Sequence, residues 1–111
     1  MEWTAIDAIR SVIDGLGRTE DIRFSPSGRV MALAGFAQSR VALFEAEVPA
    51  GGPVRFTRVL QIDCRDLVYP HGLDFLDEAR IVVANREGAA LVLPVPRFAE
   101  AKSRETPIQI F

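Results

Sequence analysis

The stretch Asp21-Ile22-Arg23-Phe24-Ser25-Pro26-Ser27-Gly28-Arg29-Val30-Met31-Ala32-Leu33-Ala34 recurs further along the chain, apolar on apolar and without a gap. The second copy is Gly72-Leu73-Asp74-Phe75-Leu76-Asp77-Glu78-Ala79-Arg80-Ile81-Val82-Val83-Ala84-Asn85. Phe24 falls on Phe75, and Glu20, just ahead of the first copy, falls on His71. Ile22 and Phe24, like Leu73 and Phe75, alternate with polar residues, the period of a short strand with one packed face. Ser25-Pro26-Ser27-Gly28 reads as a β-turn, because proline presets φ at its second position and glycine closes it without steric cost. The runs 30–34 and 81–84 are continuously apolar, which suits strands covered on both faces.

Working outward, each copy passes a short polar corner, Gln38-Ser39 in one and Glu87-Gly88 in the other, into a further apolar run at 41–44 and 90–93. After the loop Pro49-Ala50-Gly51-Gly52-Pro53, Val54, Phe56, Leu60 and Ile62 return with period two, and Arg55, Thr57, Gln61 and Asp63 point the other way. Only Arg58 and Val59 break the alternation. The segment therefore predicts an outer fourth strand with one wet face and a bulge near that pair. In the second copy the fourth strand is expected at 107–111, across the polar stretch 97–106.

A period of about fifty residues belongs to the long end of the range for propeller blades. The fold class expected is all-β, with β-propeller-type four-stranded antiparallel blades, two repeats and an incomplete ring. Blade 1 spans 19–66 and an incomplete blade 2 spans 67–111. Residues 1–18 are either the end of a preceding blade or a short helix. Trp3, Ile6, Ile9, Ile13 and Leu16 fit helical spacing, whereas 8–13 reads equally as a strand, and the strand reading takes precedence. Two blades cannot close a ring of the usual four to eight, so further blades or self-association are needed, and the two end faces are expected to lack partners. A compact α+β or small β-sandwich domain is the structural alternative.

At Pro70-His71-Gly72-Leu73-Asp74-Phe75, followed by Ile81-Val82-Val83-Ala84-Asn85, the chain resembles the YVTN and lactonase-like propeller superfamily. Phe24-Ser25-Pro26-Ser27-Gly28 is similar to a turn common in that superfamily and its neighbours. The resemblance covers residues 20–96. It implies a propeller architecture and, from the enzymes of the family that open sugar lactones, a channel-facing histidine for which only His71 qualifies. Neither the acidic and basic partners of a lactonase site nor the oxygen ligands of the metal-binding gluconolactonase-like propellers have an identifiable match.

The chain has 111 residues, of which 49% are hydrophobic and 25% charged, an ordinary composition for a globular domain with its own core. A formal charge of −2 with scattered basic residues gives no field for a phosphate backbone, so nucleic acid is not an expected partner. No apolar segment approaches the length of a membrane span, and the acidic start does not fit a signal peptide, so a cytoplasmic protein with no membrane partner is expected. The single Cys64 has no second thiol for a disulfide or a thiolate metal site and reads as a small buried filler.

His71 is the single histidine, the residue type suited to acid–base work near neutrality. Glu20, its repeat equivalent, is placed to share the same channel mouth and to orient the imidazole for general-base work. That pair is the catalytic candidate. The plainer reading is a histidine that bonds the adjoining loop. Asn85 is the ligand-binding candidate, against the plainer reading of an asparagine that bonds nearby backbone in a turn. Asp77-Glu78 sits in a hairpin turn where solvated charge is expected. Gly15-Leu16-Gly17-Arg18-Thr19-Glu20 begins like a dinucleotide loop but lacks the third glycine and the helix that must follow. No cofactor or metal is expected. The expected function is a scaffold that binds a small molecule or a protein, with a lactonase-like hydrolase or a truncated, non-functional remnant as the alternatives.

Overall fold

A continuously apolar strand needs cover on both faces, and this chain supplies it with a helix on one side of a sheet and a second sheet on the other. The computed structural model describes residues 2–98 together with the backbone of 108–109. In chain order the elements are β1 (Trp3–Ala5), α1 (Asp7–Gly15), β2 (Thr19–Phe24), β3 (Val30–Gly35), β4 (Arg40–Glu47), β5 (Val54–Asp63), β6 (Pro70–Asp77), β7 (Arg80–Asn85), β8 (Leu91–Pro94) and β9 (Ile108–Gln109). The described chain is all-β apart from this one short helix. The first sheet has the order β1-β5-β4-β3-β2, with β9 also on β5, and it curls into a half-barrel. The second sheet is β6-β7-β8. β2 to β5 form an antiparallel meander, as do β6 to β8, and β6 packs against β2 and β3. Among the described residues no helix is long and apolar enough to cross a membrane.

Two clusters of buried side chains follow from the strand period. Ala32, Ala34, Val41, Leu43, Leu60 and Ile62 of the first sheet meet Leu73, Ile81, Val83 and Leu93 of the second. Met31, Ala42, Phe44, Val54, Phe56 and Val59, on the opposite face of the first sheet, meet Ile9, Val12 and Leu16 of the helix region. Cys64 is buried in the first of these clusters.

Residues 7–15 form a helix, which overturns the preference for a strand there. Helical spacing gathers Ile9, Val12 and Leu16 onto one buried stripe. A strand would instead have put Val12 on the opposite face from Ile9. The stripe does not extend to Trp3, which lies in β1 against Phe56 with ring centroids 5.8 Å apart, or to Ile6, which is exposed at the helix start. The helix covers the outer face of the first sheet, so that end face has a partner from its own chain.

The turn at Ser25 forms as expected: Gly28 has φ +75°, and its N–H donates to the Ser25 carbonyl at 2.8 Å. The fourth strand is present as β5, but it is neither outermost nor one-faced. β1 and β9 lie parallel on its far edge. Glu45 pairs with Arg58 and Ala46 with Phe56, so Thr57 is an extra, bulged residue. One extra residue inverts the facing of all that follows. Val54 and Phe56 therefore face the helix, whereas Leu60 and Ile62 face the second sheet.

A similar slip separates the two copies. Ile22 pairs with Leu33 and Phe24 with Met31, but Leu73 pairs with Val83 and Phe75 with Ile81. An irregularity between Phe75 and Asp77 takes up the difference. Hence the gapless alignment holds from β2 to β6 and slips by one residue from β3 to β7. Phe24 and Phe75 occupy matching positions, each half-buried against the layer that precedes its own sheet. The fourth strand expected at 107–111 is not beside β8: Ile108–Gln109 pairs with Ile62 and Asp63 of the first sheet. Residues 107, 110 and 111 lie outside the described residues.

Candidate functional site

The strands β2 and β6 begin at the same end of the molecule, and each begins with a bulge. Thr19 pairs with Gly35 and Asp21 with Ala34, leaving Glu20 as the extra residue. Pro70 pairs with Asn85 and Gly72 with Ala84, leaving His71 as the extra residue. Bulges re-aim the side chain they carry, and the sequence alignment of Glu20 with His71 is reproduced here as an equivalence of geometry. Both residues are exposed.

The electrostatic partner of each candidate is a separate matter. The Glu20 carboxylate sits 2.7 Å from the Arg18 guanidinium, which in turn lies over the Phe36 ring at 5.0 Å. Among the described residues no hydrogen bond or ion pair joins Glu20 to His71. The acid that reaches across to the second sheet is Asp21. Its Oδ2 accepts the Leu73 N–H at 3.0 Å, while its Oδ1 accepts from Arg23 at 2.8 Å and from the Ile22 N–H at 2.9 Å. The sequence alone did not single out Asp21: its place on the side of Ala34, toward the second sheet, follows from the β2–β3 register.

Asn85 stands at the end of β7 with its amide taken up by backbone. Its Oδ1 accepts the Val68 N–H at 3.0 Å, and its Nδ2 donates to the carbonyls of Asp66 and Ala89 at 2.8 and 2.9 Å. The side chain thus ties the connection between the sheets, residues 64–69, to the corner after β7. Next to it, Tyr69 adopts φ +51° immediately before Pro70, a conformation costly for a bulky residue and further disfavoured ahead of proline. Three contacts hold it there. Its N–H donates to Ser39 Oγ at 3.2 Å, its carbonyl accepts from Arg86 at 2.9 Å, and its ring lies 5.1 Å from that of Phe36.

The larger concavity lies at the opposite end of the strands. Its volume is about 1020 Å³, and its walls are the β2–β3 turn at Ser27 to Arg29, the end of β4 with Val48 and Pro49, the β6–β7 turn at Glu78, and the segment after β8 ending at Phe98. The turns from the two sheets are latched together, because the Glu78 carboxylate accepts both the N–H and the Oγ–H of Ser27. On the far wall Glu45 is 3.2 Å from Arg58 and accepts the Thr57 hydroxyl, and Arg58 also donates to the Phe98 carbonyl. Sequence reading missed this groove because its walls are four segments remote from one another in the chain. The Ser25 turn, the loop from Pro49 and Glu78 were each in view singly, Glu78 as solvated turn charge. Asp77 holds Arg80 at 2.8 Å and accepts the Ala79 N–H, which lowers its carboxyl below the usual carboxylate range.

Among the described residues no three or more His, Cys, Asp or Glu side chains are grouped so as to hold a metal ion. Comparison of the chain with protein-family models, with curated proteins and with solved structures returned no match.

Proposed function

We propose that the chain is a two-blade piece of a β-propeller-type scaffold that binds a small molecule or a protein, with the groove at the turn ends of the two sheets as its seat. The groove carries this reading. It is walled jointly by both sheets, combines apolar side chains such as Val48, Val95 and Phe98 with charged ones, and has the volume of a ligand site. The blade reading is supported by the paired meanders, by the side-by-side inner strands and by bulges at matching places, alongside the resemblance to YVTN propellers. On this reading α1 stands where a preceding blade would pack, and the outer face of the second sheet, with Val82 and the exposed Val92, is where a further blade or another copy would add.

The lactonase-like reading relies on His71 and Glu20, which share one end of the strands, away from the groove. Glu20 is already paired with Arg18, which weakens it as the group that orients His71. One experiment separates the readings. Amide chemical shifts are followed while short apolar peptides, drug-sized organic fragments and a sugar lactone are titrated into the wild type, Val48→Asp and His71→Gln. Val48 is 62% exposed, so its replacement leaves the fold intact. Binding is expected to move the amides of residues 27–29 and 45–49 and to be lost in Val48→Asp but kept in His71→Gln. Lactone turnover that disappears in His71→Gln at an unchanged melting temperature overturns the proposal in favour of the hydrolase.

A further inference from the structure

A smaller pocket lies beneath the helix, remote from the groove. It measures about 180 Å³ and is lined by Ser11, Val12 and Gly15 of α1 with Arg40 of β4 and Gln61 of β5. Strand parity explains its polarity. Arg40 shares the helix-facing side of β4 with Ala42 and Phe44, and the bulge at Thr57 turns Gln61 to that same side of β5. The apolar stripe of α1 covers Phe44 and Val59, whereas polar residues occupy the end of the sheet where the helix finishes.

Arg40 is half-buried, and its Nε is fully buried with no hydrogen-bond acceptor. Buried guanidinium N–H groups are expensive to leave unpaired, since they lose hydration and gain nothing. The acids nearest in the fold do not line the pocket and do not resolve this. Asp63 stands opposite Arg40 in the β4–β5 ladder and Asp14 is exposed on α1, but neither forms an ion pair with Arg40. The carbonyl end of α1 adds a partial negative charge of roughly one half, smaller than the full charge of the guanidinium.

We propose that this pocket is a small-oxyanion site, in which a carboxylate or phosphate group accepts from the Arg40 guanidinium with the Ser11 hydroxyl at its rim. Water would satisfy the N–H singly, whereas a planar guanidinium matches an oxyanion with two parallel bonds. The volume of about 180 Å³ admits one such group or several waters, at roughly 30 Å³ per water. Asp63 opposes the bound charge and so holds the affinity down.

The test is thermal unfolding of the wild type, Arg40→Met and Asp63→Asn in sodium phosphate, sodium acetate and sodium chloride at matched ionic strength. An oxyanion at about ten times its dissociation constant raises the melting temperature of a domain this size by roughly 5–10 °C over chloride. That rise is expected in the wild type, larger in Asp63→Asn, and absent from Arg40→Met. A rise in phosphate alone identifies a phosphoryl ligand, and one in acetate alone a carboxylate. A rise in Arg40→Met equal to that of the wild type overturns the site, because phosphate also stabilises proteins by exclusion from their surfaces. No difference between salts in the wild type overturns it as well. Should Arg40→Met fail to fold, Asp63→Asn decides: a shift no larger than that of the wild type refutes the proposal.

Discussion

The two sheets start from the same three-strand meander and end in different states of protection. In the first, β3 and β4 are covered on one face by the helix and on the other by the second sheet, and β5 shields the edge of β4. In the second, Leu73, Ile81, Val83 and Leu93 face inward, while Val92 on the outer face is 57% exposed and no described strand lies beyond β8. Similar sequence runs thus acquire different energetic weight from what is laid against them. Val41 to Phe44 are each fully buried, whereas in the matching run Val92 is open to solvent.

Truncation of one side chain from each run is the most direct way to break that contrast. Phe44→Ala is expected to cost about 3–5 kcal/mol, from lost burial and the cavity left behind. Val92→Ala should stay within about 0.5 kcal/mol, as for a surface site. Ile9→Ala belongs with Phe44, at about 2–5 kcal/mol, because the helix is part of the first sheet's cover. Denaturant unfolding of the three variants measures this. Equal losses for Phe44→Ala and Val92→Ala would mean that the second sheet is buried in solution by something outside this chain.

A clamp at the junction sharpens the comparison at intermediate scale. Asn85 bonds to three backbone groups that position the second sheet's connection and corner. Asn85→Ala leaves those groups to water or unpaired, with an expected loss of about 1–3 kcal/mol. Hydrogen exchange should show the loss concentrated in β6 to β8, with β3 and β4 retaining their protection. Uniform loss through both sheets would show that they unfold as one unit and that the difference in cover has no energetic counterpart.

What the sequence made legible follows the same division. The Ser25 turn, the period-two strands and the equivalence of Glu20 with His71 are local patterns, and each appears in the structure. The register of β7 was not legible, because a run such as Ile81-Val82-Val83-Ala84 looks the same when shifted by one residue and only the irregularity near Leu76 sets it. The bulge was legible near Arg58, but the exchange of faces it causes depends on having layers on both sides. The helix was ambiguous because its buried stripe is short and gains its stability from the sheet beneath it. At the sites, a lone histidine and a strand-end asparagine draw attention in a sequence. A groove assembled from four distant segments and an arginine Nε buried without an acceptor do not, since both exist only once the chain is folded.

The smallest expected effect concerns the turn that links β6 to β7. Asp77 accepts from the Arg80 side chain and from the Ala79 N–H, and these bonds, the Arg80 side chain foremost, hold its carboxyl below the usual carboxylate range. A carboxyl whose pKa is lower folded than unfolded stabilises the fold above its unfolded value, about 4. That contribution is lost as pH falls through the lower, folded value. The hairpin should therefore be insensitive to pH from neutrality down to about 5 and loosen below about 4. The pair is exposed, so the change is expected to be local and small, and weaker still in high salt. Amide exchange of Asp77 to Ile81 between pH 2 and 6 measures it, after correction for the intrinsic exchange rate. Asp77→Asn should remove the acid-dependent part and leave the first sheet's Ser25 turn unchanged, because the side-chain bonds of Asp77 go only to Ala79 and Arg80 of its own turn. If the loosening persists in Asp77→Asn, the acid sensitivity of the second sheet arises elsewhere.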